Sequence, residues 1–386
     1  MSRLSLFPDL DAPPGPRIDE AALRAEVRDF VARATRDGLI RPGRQTWTTF
    51  SREFSRACAA QGYIGMTWPR RFGGHERDPF ERYVVCEELL AAGAPQGAHW
   101  IADRQSGPQI LRNGTAALQA EVLPRIAAGD CTIGIGMSEP DSGSDLSSIR
   151  SRAEPVAGGY RVTGRKIWTT NAQHADYVIA LVRTAPRGED RYAGLSQLVV
   201  PMRSEGITVR PLRDLRGEEE LNEITFDAAF VPQANLLGAE GDGWRLVNEE
   251  LAFERSGPDR ILSSFGLLAM LVHAVGPMPD RLAAAEIGRL AARLDATRAL
   301  SLAINRRLAA GLPTGALAPM MKDLGTEFEQ EVPEVARRLL DLRPSETGSE
   351  IEGALATAIL GAPSFSLRGG TREILRGIIA RELGLR

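Results

Sequence analysis

Gly136-Met137-Ser138-Glu139-Pro140-Asp141-Ser142-Gly143-Ser144-Asp145, followed downstream by Lys166-Ile167-Trp168-Thr169-Thr170-Asn171, is the text on which the reading of this chain turns. Between the two lies Tyr160-Arg161-Val162-Thr163-Gly164, which reads as a short strand. Two glycines, a proline and five Ser/Asp residues let the first stretch bend tightly and present backbone N–H groups. The second sets a tryptophan beside two hydroxyls and an amide, a combination suited to a planar, polar heterocycle. Read alone, each stretch is also compatible with a hairpin bearing a polar loop.

Working outward, 386 residues leave room for two or three domains and a sizeable core. A net charge of −3 argues against a nucleic-acid partner, although local arginine clusters can still meet anionic ligands. Cys58, Cys86 and Cys131 are odd in number and far apart, as expected of buried thiols in a reducing compartment. His75, His99, His174 and His273 show no close pairing with cysteine, so no metal site is expected. The N-terminus carries no signal-peptide pattern and no stretch has the length of a transmembrane helix, so a cytoplasmic protein without a membrane partner is the expectation.

Residues 1–18 are proline-rich and read as an arm. From Glu20, Leu23, Val27, Phe30 and Val31 recur at helical spacing. Further helices are predicted at 50–61, 80–92, 101–113 and 116–128. Strand-like runs follow at 132–137, 159–163, 177–184, 196–201, 207–210 and 222–231, punctuated by Gly and Pro as in an antiparallel sheet. Helices return at 243–275, 280–311, 314–341, 351–361 and 371–382. The predicted class is α+β: an N-terminal helical domain (1–129), a middle β-barrel-like domain (130–240) and a C-terminal helical-bundle domain (241–386).

One acidic residue breaks a pattern. Glu254 shares a helical face with Val247 and Leu251. A charged, unpaired carboxylate in an apolar stripe costs several kcal/mol, and desolvation would move it toward a useful general base. Pro258 cannot donate to the Glu254 carbonyl, so the helix should kink or open there. The alternative is a surface pairing of Glu254 with Arg255 or Arg260. Asp103-Arg104-Gln105 reads as an interface salt bridge, His99-Trp100 as buried packing, and Arg210, Arg213 and Arg216 as a solvated edge strand or a basic patch for phosphates.

The chain resembles the acyl-CoA dehydrogenase family of flavoproteins. The resemblance is carried by Met137–Asp145, by Gly164-Arg165-Lys166-Ile167-Trp168-Thr169-Thr170-Asn171, by Val231-Pro232 with Asn235-Leu236-Leu237-Gly238, and by Gly369-Gly370-Thr371-Arg372-Glu373-Ile374. It implies FAD as cofactor, an acyl-CoA substrate, and an electron-transfer flavoprotein or similar acceptor. It also implies removal of an α-proton with hydride transfer from the β-carbon to the flavin. Many members carry the catalytic glutamate where this chain has Gly369. Others place it before an arginine on the mid-chain helix, as in Leu251-Ala252-Phe253-Glu254-Arg255. The resemblance therefore assigns Glu254 as base, Arg255 as its substrate-side neighbour and the Gly369 N–H as donor to the thioester oxygen. It assigns Met137, Ser138, Trp168, Thr170, Thr371 and Glu373 to the cofactor, and Ser144 to the acyl thioester or pantetheine.

Two features depart from the family pattern. Relatives carry Arg-x-x-Phe-Gly after the mid-chain helix, whose arginine holds the flavin pyrophosphate of a neighbouring subunit. Here His273-Ala274-Val275-Gly276-Pro277-Met278-Pro279-Asp280-Arg281 stands in its place. A Gly-rich loop expected near Asp341–Gly348 is also absent. The departures leave open a homodimer or homotetramer, and a heteromer in which a related dehydrogenase chain completes the cofactor site. A flavin monooxygenase of the same fold is the other alternative; it would not need Glu254.

Overall fold

The computed structural model describes residues 18–42, 45–345 and 347–385, so most of the expected N-terminal arm lies outside the described residues. The described residues separate into two compact units, each assembled from distant parts of the sequence: those within 18–47, 77–94 and 252–385 in one, 48–76 and 95–251 in the other.

The second unit holds helices α2 (Arg52–Ala60), α4 (Gly107–Asn113) and α5 (Ala116–Ala127) with an eight-stranded sheet. Its strands are β1 (Ile133–Gly136), β2 (Arg152–Val156), β3 (Gly159–Thr170), β4 (Tyr177–Arg183), β5 (Leu195–Pro201), β6 (Ile207–Leu212), β7 (Leu221–Pro232) and β8 (Leu236–Leu237). Their spatial order is β6-β7-β3-β2-β4-β5-β8, with β1 beside β4. Position in the sheet explains composition. Nearly all of central β4 is buried, so it reads as a continuous apolar run, whereas edge strand β6 alternates partly buried and exposed residues. Tyr160, Val162, Val178, Val200 and Phe226 share the core of this sheet.

The sheet corrects the sequence expectation in three respects. It is mixed, because β1 and β2 pair parallel to β4. Strands β2 and β8 had no clear alternation and were not expected. β3 runs well past residue 163, because Gly164 is accommodated at an irregularity and pairing with β7 resumes. Met137 and Ser138 lie just beyond β1, and Trp168 and Thr170 are on β3.

The first unit is helical: α1 (Glu20–Arg36), α3 (Pro79–Ala91), the end of α6 (Gly243–Arg255), α7 (Phe265–Val275), α8 (Arg281–Ala309), α9 (Leu317–Leu340), α10 (Glu350–Phe365) and α11 (Arg372–Glu382). Helix α9 packs against α7, α8, α10 and α11, and Leu268, Leu290, Phe328, Val332 and Leu355 form the shared core. The single helix predicted over 243–275 is two helices. It stops at Arg255, makes a 3-10 turn at Pro258–Arg260 and restarts at Phe265. Proline's missing donor opens the helix fully instead of bending it. Among the described residues, no helix is long and apolar enough to cross a membrane.

The opening motif of the sheet unit is held from below. Lys166, fully buried, donates to Glu139 Oε1 at 2.8 Å and to the Met137 carbonyl at 3.0 Å. Glu139 also accepts from the Arg150 and Ser151 amides. Burial brings the Lys166 amine down to about 8, against the pull of Glu139. Burial alone would raise the Glu139 carboxyl, but Lys166 and the two amides hold it below its ordinary value. Removing one partner leaves a charge buried and uncompensated. Glu139→Gln is therefore expected to cost about 3–5 kcal/mol, read as a lowered urea midpoint.

Candidate active site

The C-terminal glycine pair and the carboxylate from the mid-chain helix come together in the helical unit. Gly369 has φ +69° and Gly370 φ +104°, both in the left-handed region. A Cβ placed on Gly369 would lie 3.3 Å from Glu254 Oε1 and 3.5 Å from Lys322 Cε. The carboxylate of Glu254 therefore reaches the space that a side chain at position 369 would enter. Arg255 Nε donates to the Gly369 carbonyl at 2.9 Å, and a Cβ on Gly370 would lie 3.3 Å from Arg255 Nη2.

Glu254 is not the unpaired carboxylate of the sequence expectation. Arg260 Nη2 donates to Glu254 Oε1 at 2.6 Å, and Arg260 Nε donates to the Glu254 carbonyl at 3.0 Å. Nor is this the alternative surface pair, because the Arg260 side chain is only 4% exposed. Buried Asp259 faces the same guanidinium at 3.2 Å. Beside them Arg368 donates to Glu329 Oε2 and Ser263 Oγ, both at 2.8 Å, and lies over the Trp47 and Phe365 rings.

Lys322 closes this cluster. Its ammonium donates to Thr326 Oγ1 at 2.6 Å and to the Phe365 carbonyl at 2.7 Å. Burial, with Arg260 and Arg368 nearby, brings its amine from 10.5 down to about 7. Sequence reasoning missed Lys322, Asp259, Glu329 and Arg368 as site neighbours and named Arg260 only as a surface partner of Glu254. The available signal was helical spacing: Ala318, Lys322, Gly325 and Glu329 fall on one face of α9, and all are buried.

Thr371 caps α11, its hydroxyl accepting from the Ile374 amide at 3.5 Å, and Glu373 lies exposed in the first turn. In the sheet unit, the Ile167 amide donates to the Ser138 carbonyl at 2.9 Å, which brings Met137 and Ser138 beside Lys166–Trp168. There β3 gains an extra residue against β7, between the Lys166–Ile224 and Thr169–Asn222 pairs. Trp168 sits in this bulge with φ +65° and is 57% exposed. A large aromatic held outward on strained backbone is a surface shaped for a flat ligand. Thr170 is half-buried two residues on, and Ser144 lies exposed in the polar loop.

Other expectations are corrected or reduced. Asp103 Oδ1 accepts from the Gly65 amide at 2.7 Å, within the sheet unit, and so helps to fix a turn. Arg216 pairs with Asp214 and Glu220, and Arg213 with Glu219, which spends most of the supposed basic patch locally. Among the described residues, no group of three His, Cys, Asp or Glu could hold a metal ion.

Comparison with known proteins agrees along the chain. The profile of the acyl-CoA dehydrogenase N-terminal domain matches residues 18–130, that of the middle domain 134–229 and that of the C-terminal domain 275–384. Acyl-CoA dehydrogenase FadE26 of Mycobacterium tuberculosis is 32% identical over 346 residues, spanning 85% of this chain and 86% of the relative. Acyl-CoA dehydrogenase IpdE1 of the same organism is 31% identical over 381 residues, spanning 95% and 98%. Among solved structures, the Tcur3481-Tcur3483 steroid ACAD aligns with TM-score 0.85 at 27% identity, covering 98% of this chain and 99% of that one. The ChsE4-ChsE5 complex from Mycobacterium tuberculosis aligns with TM-score 0.81 at 28% identity, covering 96% and 98%.

The close approach at Gly369 yields a stability prediction. Gly369→Ala must adopt a left-handed φ and press its methyl on the Glu254 carboxylate. A loss of about 1–2 kcal/mol is expected from the backbone alone, measured by urea denaturation. A neutral substitution would mean that the turn relaxes.

Proposed function

The chain belongs to the acyl-CoA dehydrogenase family, and from that premise we propose that it catalyses FAD-dependent α,β-dehydrogenation of an acyl-CoA thioester with Glu254 as the base. The observation that carries this reading is the shared space at Gly369, since a carboxylate arriving from helix α6 substitutes for one arriving from the turn. Glu254 takes the α-proton. The Gly369 N–H donates to the thioester oxygen as negative charge develops there, which a glycine can do as well as any residue. Arg255 holds the Gly369 carbonyl and so orients that turn. Ser144 is assigned to the thioester or pantetheine.

FAD, when bound, supplies the acceptor for the β-hydride. Met137, Ser138, Trp168 and Thr170 are the residues that would hold it, with Thr371 and Glu373 of the C-terminal motif. The outward, strained Trp168 supports the fit. The reading favours a dehydrogenase over a monooxygenase because the latter has no use for Glu254. An electron-transfer flavoprotein or similar carrier would reoxidise the flavin.

A specific observation favours a mixed oligomer. The link from α7 to α8 carries no arginine between His273 and Asp280; it holds Met278, 90% exposed, and ends in the α8 cap Asp280. The family's arm, which would neutralise pyrophosphate across a subunit boundary, has Arg281 as its one nearby substitute in this chain. Two of the similar solved structures are named as pairs of different chains. A related chain with an intact arm would complete the site.

Three outcomes are expected. Glu254→Gln should slow flavin reduction by acyl-CoA about 10²–10⁴-fold with FAD retained, and near-native reduction would point to another base. Trp168→Ala should weaken FAD retention by several kcal/mol, seen as loss of flavin on gel filtration. The isolated chain should hold FAD about 1.5–3 kcal/mol more weakly than the chain purified with its related partner; full stoichiometry alone would dismiss the partner.

A further inference from the structure

A buried lysine stands at the proposed base without being needed for its chemistry. Lys322 comes from α9, lies almost fully buried, and lines the same few ångströms as Glu254 and Gly369. Its ammonium donates to the carbonyl of Phe365, the last residue of α10. The next residues form the turn that carries Gly369. Within that turn the Leu367 and Arg368 amides donate to the Ser364 carbonyl, and Arg255 holds the far end at Gly369. Lys322 thus ties the beginning of the turn and Arg255 its end.

Purely structural duty is a poor explanation for a lysine here. A methionine of similar length would fill the space without the desolvation cost, and buried ionic groups are commonly replaceable by apolar ones. The surroundings are already ionic. Glu254 and Arg255 face this space from α6, Asp259 and Arg260 from the 3-10 turn, Glu329 from α9 and Arg368 from the C-terminal turn; Asp323, also on α9, is engaged by Arg372 and Arg376. With Lys322 neutral, the cations and anions facing the base balance. With Lys322 charged, proton uptake by Glu254 leaves a larger positive surplus.

We propose that Lys322 is a positioning residue of the dehydrogenation site: it fixes the turn that presents the Gly369 N–H, and its charge state governs how readily Glu254 takes up a proton. The proposal rests on the assignment of Glu254 and Gly369 given above. Because the amine is brought to about 7 in the fold from an ordinary value of 10.5, the cost of burying its charge is fully present below pH 7. That cost is relieved as pH rises from 7 toward 10.5, where the unfolded chain still holds the proton.

The test uses the full chain, purified with any partner it requires, as native protein, Lys322→Met, Thr326→Val and Glu254→Gln. Hydrogen exchange at Leu367 and Arg368 needs no cofactor and reads the tether; Lys322→Met should accelerate it about tenfold or more. The stability advantage of Lys322→Met over native, by thermal unfolding, should shrink between pH 6 and pH 10. Flavin reduction is then followed against pH with the fastest thioester from a panel of straight-chain, branched and ring-bearing acyl-CoAs. Native protein should show an inflection near pH 7, displaced downward in Thr326→Val, which removes an acceptor of the Lys322 ammonium and a second donor to the Phe365 carbonyl. Lys322→Met should lack it, with lower kcat and little change in KM.

Unchanged exchange at Leu367 and Arg368 in Lys322→Met overturns the tether, and an inflection that persists overturns the charge role. If Lys322→Met does not fold, a native chain with a pH-independent rate between pH 6 and 8 overturns the charge role instead. Failure of the dehydrogenase reading shows separately, as undiminished reduction in Glu254→Gln, while hydrogen exchange still decides the tether.

Discussion

Arg260 Nε donates to the Glu254 carbonyl, and much of the helical unit is arranged around that contact. Pro258 stands where the next donor should be and has none. The chain leaves the helix at Arg255 and turns back through Pro258–Arg260, which brings Arg260 to the Glu254 carbonyl with Nε and to the Glu254 carboxylate with Nη2. One guanidinium thereby satisfies the broken helix end and fixes the direction of the carboxylate. Had the helix continued, Arg260 would have projected from a later turn. The break also allows α7 to restart from Phe265 and pack on α9.

Concentrating charge in this way demands compensation. Glu254, Asp259 and Glu329 are met by Arg255, Arg260 and Arg368, and the arginines do more than neutralise. Their planar forks reach carbonyls as well as carboxylates, so each ties backbone: Arg260 at Glu254, Arg255 at Gly369, Arg368 at Asp259. The result is a site whose precision comes from ion pairs anchored on main chain, with the aliphatic core of α9 at their back. A lysine at any of the three positions would supply charge without the second contact.

Most of the fold was legible because its signals are long and repetitive. The helices of residues 280–382 announce themselves by spacing, and β4 by an unbroken apolar run between turn residues. What escaped was short or dictated from elsewhere. β2 carries Pro155 and three exposed residues, so nothing local marks it as a strand; pairing with β3 makes it one. At the site, Glu254, Arg255 and Gly369 were readable because they combine a broken pattern with a motif. The ion-pair partners were not, since Arg368 and Glu329 meet across sequence distances over which periodicity carries no information. Arg260 was legible only as a surface partner of Glu254, because helical spacing gives the face of a residue but not what a following turn buries against it.

Both units use the same device where a motif loop must hold its shape. In the sheet unit a buried lysine on β3 reaches the Met137 carbonyl at the start of the Ser/Asp loop; in the helical unit a buried lysine on α9 reaches the Phe365 carbonyl at the start of the glycine turn. In each case the loop beyond is too rich in glycine, serine or aspartate to be fixed by packing, because small side chains bury little area. A backbone carbonyl is then the only strong handle available, and an ammonium on a long stem is the donor that can reach it from a packed element. The two lysines differ in what opposes their charge. Lys166 has Glu139 at 2.8 Å and keeps its amine nearer the ordinary range, at about 8. Lys322 donates to a hydroxyl and a carbonyl and has two guanidiniums nearby, and its amine falls to about 7. The same tether is therefore close to permanently charged in one unit and poised to titrate in the other, and the poised one stands beside the carboxylate assigned to move a proton.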